Sequence, residues 1–244
     1  MLLEIENLSY VYADERAFTI TLTALSLEKG QVCALTGVSG SGKSTLLECI
    51  GLLRPQFTAT KFCFEGEDVS SLSEAQKARR RAQVLGYMPQ SGGLLPYLSF
   101  EDNLKLQIRL AHGALKRSEV NAYIDALMPQ LKRFDMDKLL KLKPHQLSIG
   151  QRQRAVFFRA LAHRPQVVLI DEPTSALDPV NAEKIFESII ECAKSLNIAV
   201  LVVTHDTEAV IRHGLYNCAY DGKESSDNHS VFKCMEQIWS FPYL

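Results

Sequence analysis

An α/β core interrupted by a helical subdomain is the fold the sequence predicts, and three features of the chain predict it. A strand-like run, "QVCALTG" (31–37), passes directly into a glycine-rich loop and then into the helix-like "KSTLLECIGLL". Two near-continuous apolar runs, "QVVLIDEP" (166–173) and "NIAVLVVTHD" (197–206), have the texture of parallel strands covered on both faces, with the helix-like "NAEKIFESIIECAKSL" between them. From Phe100 to about Lys143 the texture changes: leucines recur at helical spacing, charges fill the gaps and β-branched runs vanish.

Taken in order, "LLEIENL" and "FTITLTALSL" read as strands, "KFCFEGED" as a strand and turn, and "SEAQKARRRAQ" as a polar helix. The helical insertion spans about 91–160, the main unit 1–222, and 223–244 reads as a short tail. The chain has 244 residues, 46% apolar and 23% charged, enough to bury a substantial core. A net charge of −1 gives no basic field, so nucleic acid is not an expected partner. The one dense positive run, "KARRR" (Lys77–Arg81), reads as a solvated helix face. Six cysteines without C-x-x-C spacing read as free thiols, with Cys33 and Cys63 as small buried apolar groups. Such thiols favour a reducing compartment, and nothing reaches the roughly 18–20 apolar residues of a membrane span. The expectation is a cytoplasmic protein, or one held at a membrane by a partner.

Gly37, Gly42, Lys43 and Ser44 fit G-x-x-x-x-G-K-[ST], between a strand and a helix as that motif requires. Together with Ser39, Gly40, Ser41 and Thr45 they predict a nucleoside triphosphate site. Glycines let backbone N–H groups turn inward around phosphate oxygens, and the helix N-terminus adds donors and partial positive charge. Lys43 is expected to reach the β and γ phosphates and the Ser44 hydroxyl to bind Mg²⁺. Further on, "VVLIDEP" ends a buried strand with Asp171 and Glu172. A desolvated carboxylate needs a partner, which a cation held by Asp171 would provide. Glu172 then stands as general base for water attacking the γ phosphate.

With these residues in view, the chain resembles the ATP-binding cassette (ABC) ATPases from about residue 2 to 222. The most diagnostic piece is "LSIGQRQR" (147–154), close to the family's LSGGQ signature. The resemblance implies an ABC ATPase core with an N-terminal antiparallel β subdomain and an inserted α-helical subdomain. It also implies that Ser148, Gly150 and Gln151 close over ATP held by a second copy of the chain. Ile149 departs from the usual glycine; a branched residue there is expected to remove positive-φ options and slow closure. The same likeness assigns Tyr12 to adenine stacking, with Tyr10 as competitor, and Gln90 to Mg²⁺ and to sensing a membrane partner. It assigns Asp178, in "SALD", to the loop linking two nucleotide sites, and His205 to positioning the attacking water. The implied cofactors are ATP and Mg²⁺, and the implied partners are a second copy and a separate integral membrane permease. The stretch from "SLSEAQKARRR" to "LLPYLSFEDN" resembles the ATPases of lipoprotein-release and MacB-type exporters, which places the chain on the cytoplasmic face of an inner membrane. Leu94 to Leu98 would then form an exposed patch facing the permease. A second reading, a nucleotide-gated regulatory module with low turnover, rests on Ile149.

Overall fold

Alternation of apolar and polar residues pairs β1 (Leu3–Val11) with β2 (Thr19–Leu27) in antiparallel register, from Leu3 opposite Leu27 to Val11 opposite Thr19. The computed structural model describes residues 1–13 and 17–235. After β3 (Val32–Thr36) the phosphate-type loop leads into α1 (Lys43–Ile50). β4 (Lys61–Phe64) and the two-residue β5 (Glu67–Asp68) extend the antiparallel side, and α2 (Glu74–Val84) precedes β6 (Leu85–Met88). The helical unit follows as α3 (Phe100–His112), α4 (Arg117–Arg133), short turns at Asp137–Leu139 and Pro144–Gln146, and α5 (Ile149–Leu161). β7 (Val167–Asp171), α6 (Pro179–Ser195), β8 (Ala199–Val203), α7 (Thr207–Arg212), β9 (Tyr216–Tyr220) and β10 (His229–Met235) complete the described chain.

Ten strands form one sheet in the order β5-β4-β1-β2-β10-β9-β3-β8-β7-β6. β3, β6, β7, β8 and β9 run parallel to their neighbours within this half, and β3, β7 and β8 are buried at every position. Their period of two divides the interior. Cys33, Leu35, Leu169, Leu201 and Val203 pack with α1 and the antiparallel strands; Ala34, Val168, Ile170, Val200 and Val202 pack with α3 to α6. Helical spacing supplies the second core: Phe100, Leu104 and Ile108 from α3 and Val120, Ile124, Leu127 and Leu131 from α4 are all buried. Ser99 caps α3 by accepting from the Asp102 N–H at 3.1 Å, with acids in the first turn and Arg109 and His112 in the last, matching the helix dipole.

Three sequence expectations change here. Residues 229–235, read as part of a tail, form β10, inserted between β2 and β9; residues 236–244 of that expected tail lie outside the described residues. The strand hides because its sequence, "HSVFKCM", mixes polarity and one of its neighbours, β2, lies some two hundred residues earlier; Val231 and Phe232 are nevertheless buried. The β9–β10 register sets Cys218 opposite Cys234, and the two are joined as a disulfide, leaving Cys33, Cys49, Cys63 and Cys192 as free thiols. The "KARRR" run is more committed than a solvated face. Arg80 pairs with Glu67, Arg81 donates to the Leu52 carbonyl at 2.6 Å, and the Lys77 ammonium lies 5.4 Å from the Phe57 ring centroid.

Candidate nucleotide site

β3 delivers Gly37 to the sheet edge, and the loop that follows is shaped by what lies behind it. A Cβ at Gly37 would stand 2.7 Å from the Tyr220 Cβ, and one at Gly42 would stand 2.1 Å from the Ile20 Cδ1. Gly42 also has φ +92°, a conformation that side chains resist, so both positions demand glycine. Gly42 caps α1 without a side-chain hydrogen bond, and the first turn of α1 holds no acid. The helix therefore offers backbone N–H groups to an incoming anion. Ser39 and Gly40 are exposed on the loop, whereas Ser41 is buried and donates to the Val38 carbonyl at 2.8 Å.

Lys43 folds back over this loop, its Nζ donating to the Gly37 and Val38 carbonyls at 3.0 and 2.9 Å. Burial lowers its pKa, and the nearby Glu172 and Asp171 pull it back up. The Ser44 hydroxyl donates to Asp171 Oδ1 at 3.0 Å. Asp171 is buried, and burial raises its pKa against the lowering effect of that hydrogen bond; the neighbouring Glu172 raises it further. An acid under this strain gains from a hard cation. The Ser44 hydroxyl and the Asp171 carboxylate, in contact here, are oxygen donors of the kind Mg²⁺ prefers.

Glu172 leaves β7 at φ +44°, a left-handed conformation that costs a non-glycine residue about 1–2 kcal/mol. The turn brings its carboxylate between two partners: Gln90 Nε2 donates to Oε2 at 2.7 Å, and His205 Nε2 lies 2.7 Å from Oε1. A cleft of about 360 Å³ opens beside this cluster, with Ser175, Thr204 and Arg212 in its wall. Of the two candidate tyrosines, Tyr12 reaches the loop helix, its hydroxyl hydrogen-bonded to Thr45. Tyr10 is engaged elsewhere: its hydroxyl accepts from Arg54 Nη1 at 3.1 Å, and Arg54 pairs with Glu48 at 2.6 Å.

The signature residues stand apart from this group. Ser148 caps α5, accepting from the Gln151 N–H at 3.2 Å while its own N–H donates to Gln151 Oε1 at 3.0 Å. Asp178 caps α6 in the same way, through the Asn181 N–H at 3.0 Å and side chain at 2.6 Å. The two helix starts touch, since a Cβ at Gly150 would meet Asn181 Oδ1 at 2.9 Å. The backbone objection to Ile149 does not hold. It is the first residue of α5, absent from the positive-φ positions and 60% exposed. Residue 149 needs no glycine conformation, because the turn preceding it ends in an ordinary capped helix.

Sequence reasoning missed Asn103. It is buried, and its side chain accepts from the Leu95 N–H at 2.8 Å and donates to the Ser99 carbonyl at 2.9 Å and the Leu95 carbonyl at 3.2 Å. It thereby holds the loop in which Leu95, Pro96 and Tyr97 are exposed while Leu94 and Leu98 are half-buried, so only part of the expected patch faces outward. The available signal was an asparagine one turn into an apolar helix face, where a polar side chain needs partners.

Comparison with known proteins gives the family. The profile of the ABC transporter family matches residues 21–175. A relative from Shewanella sp. (strain MR-7), the lipoprotein-releasing system ATP-binding protein LolD, is 37% identical over 87% of this chain and 90% of its own. The methionine import ATP-binding protein MetN 1 of Bacillus cereus is 32% identical over 86% of this chain and 60% of its own. Among solved structures, the dimeric post-hydrolysis state of the ATP-binding cassette MJ0796 bound to ADP and Pi is 27% identical. It has a TM-score of 0.74 and covers 98% of this chain and 100% of that one. Glycine loop, strand-end acids and capped signature turn thus have one explanation: the chain belongs to the ABC transporter family and is an ATP-binding, ATP-hydrolysing cassette of it.

Proposed function

We propose that two copies of this chain close head to tail over two ATP molecules, hydrolyse them and separate, and that this cycle drives a membrane permease of the lipoprotein-releasing or a related mechanical-export kind. The observation that carries the reading is the convergence of Gln90, Glu172 and His205 next to Lys43 and Asp171. Lys43 and the N-terminus of α1 bind the β and γ phosphates, and Tyr12 packs against the adenine. Glu172 takes a proton from the water that attacks the γ phosphorus, releasing ADP and phosphate. Gln90 and His205 each hold one of its oxygens and so fix where that carboxylate points. Ser148, Gly150 and Gln151 present the α5 N-terminus to the γ phosphate of the other copy, and Asp178 orders the loop between the two sites.

Ser44, Asp171 and Gln90 would hold Mg²⁺, which would neutralise charge on the phosphate oxygens. Among the described residues no group of three or more His, Cys, Asp or Glu could hold a metal unaided. Among the described residues no helix is long and apolar enough to cross a membrane; the permease is engaged at a cytoplasmic membrane face. Leu95, Pro96 and Tyr97, held out by Asn103, supply an apolar docking edge for it. The likeness to the lipoprotein-releasing protein supports that class of partner.

Phosphate release by the chain copurified with its membrane partner tests the motor. Glu172→Gln keeps the side-chain volume and the bond to Gln90 but removes the base. Hydrolysis should fall by about 10²–10⁴-fold while ATP binding persists. Equal release by the variant and the parent refutes the assignment.

A further inference from the structure

A cavity of about 380 Å³ opens at the end of the sheet away from the phosphate loop, between α4, the β2–β3 turn and the turns that lead into β7 and β8. Leu127, Leu161, Leu196 and Ile198 make its apolar walls, and two alanines, Ala126 and Ala162, leave the space open. Small-molecule sites have this size and join apolar walls to a few placed polar groups. Here Lys29 and Arg164 supply two cations, and no acidic side chain lines the cavity among the described residues. The cations differ in what they already hold. Lys29 pairs with Glu65 at 3.0 Å, and Glu65 also accepts from Gln166 Nε2 at 3.2 Å. Arg164 has no acidic partner among the described residues: its guanidinium lies 4.9 Å from the Tyr123 ring centroid and donates once, to the Ala122 carbonyl at 3.3 Å. A guanidinium carries five donors in a planar fork that matches a carboxylate, so most of this one is unused. Arg164 (φ +57°) and Asn197 (φ +53°) both turn the chain here in the left-handed conformation, which non-glycine residues hold at a cost and which recurs at ligand clamps.

We infer that this cavity is a second binding site, for a small amphipathic carboxylate whose chain packs on the leucine walls and whose head meets Arg164. Such an anion gains twice in one place, by burying carbon and by making a charge-assisted hydrogen bond. A neutral or cationic molecule of the same length gains only the first. The site is separate from that of the nucleotide. Gln166 and Ile198 stand just before β7 and β8, whereas Glu172 and His205 follow them, so roughly 16 Å of strand lies between. A bound chain touches α4 on one side and the starts of β7 and β8 on the other, joining the helical unit to the sheet at a point remote from ATP.

The test titrates octanoate into the full chain by calorimetry, with acetate, 1-octanol and octyltrimethylammonium as controls. Octanoate should bind once per chain and acetate not at all, while the alcohol and the ammonium bind at least about tenfold more weakly, the scale of one charge-assisted hydrogen bond. Arg164→Gln should weaken octanoate by about the same factor. Ala126→Phe, at an exposed position, should fill the cavity and abolish binding. Both variants should keep the parent's affinity for ATP, which also reports that they fold. Octanoate should raise the thermal midpoint of the parent and leave that of Ala126→Phe unchanged. In crystals, anomalous scattering from 8-bromooctanoate should place the bromine between α4 and the start of β8. No binding of octanoate by the parent overturns the proposal, as does equal binding of octanoate and octyltrimethylammonium. Binding that survives Ala126→Phe overturns it, and so does displacement of octanoate by ATP, which would put the probe in the nucleotide site.

Discussion

His163 should make the fold acid-labile, and its surroundings set the size of the effect. The imidazole is buried at the end of α5, with Nε2 3.1 Å from the Leu85 carbonyl and Nδ1 3.4 Å from Gln107 Nε2. That pattern fits a neutral ring, donating through Nε2 to Leu85 and accepting at Nδ1. Burial pushes its pKa from 6.5 down to about 4. The folded state thus binds its proton later than the unfolded chain, so stability is full above about pH 6.5 and falls as pH drops towards 4. At 1.36 kcal/mol per pKa unit, the loss from this residue is about 1.5 kcal/mol at pH 5.5 and about 2.5 kcal/mol at pH 4.5. Other groups titrate in the same range, so the assay is a difference. Urea unfolding is measured at neutral pH and at pH 5.5 for the parent and for His163→Gln, whose amide keeps a donor for Leu85. The variant should be less stable at neutral pH yet lose less on acidification, by about 1.5 kcal/mol. Parallel pH dependences for the two chains refute the reasoning.

Two further outcomes follow from the same kind of contact. Lys43→Ala removes the ammonium that bridges the Gly37 and Val38 carbonyls; ATP affinity should fall at least about a hundredfold, the scale of two charge-assisted hydrogen bonds, and calorimetric titration reads it. Asn103→Ala strips the partners from the 95–99 loop. It should cost about 2–3 kcal/mol of stability by urea unfolding and weaken copurification with a membrane partner, with ATP binding by the isolated chain intact.

The parts of the molecule that were legible in the sequence are those where consecutive residues do one job. Gly37 to Thr45 form one contiguous loop and helix start, and Asp171 and Glu172 end a buried strand, so each leaves a local pattern. What stayed hidden depends on partners distant in the chain. β10 is a strand only because β2 and β9 flank it, and the Cys218–Cys234 pair exists only through that register. The conformation of residue 149 followed from the Ser148 cap, which the comparison with a glycine pattern obscured. Tyr12 and Tyr10 read alike in the sequence; Arg54 lies over both rings, and they differ in the partner of the hydroxyl, Thr45 for Tyr12 and Arg54 for Tyr10.

Strand order explains why the proposed catalytic group assembles at all. Gln90 lies two residues beyond β6, Glu172 one beyond β7 and His205 two beyond β8. These three strands are parallel neighbours, with β3 and its phosphate loop next in line. Neighbouring strands lie roughly 5 Å apart, so residues just past their carboxyl ends meet without long loops, the placement open α/β sheets favour for ligands. β6 is the edge strand of the four, and its carbonyls are hydrogen-bonded by α5 and the turn after it. Arg159 of α5 donates to the Tyr87 carbonyl at 3.2 Å, and His163 holds the Leu85 carbonyl. Gln90 is therefore the member of the cluster whose backbone the helices α3 to α5 hold most directly. Any shift of those helices against the sheet reaches Glu172 first through the Gln90 hydrogen bond at 2.7 Å, whereas His205, just past β8, and Lys43, at the start of α1, stay where the core puts them.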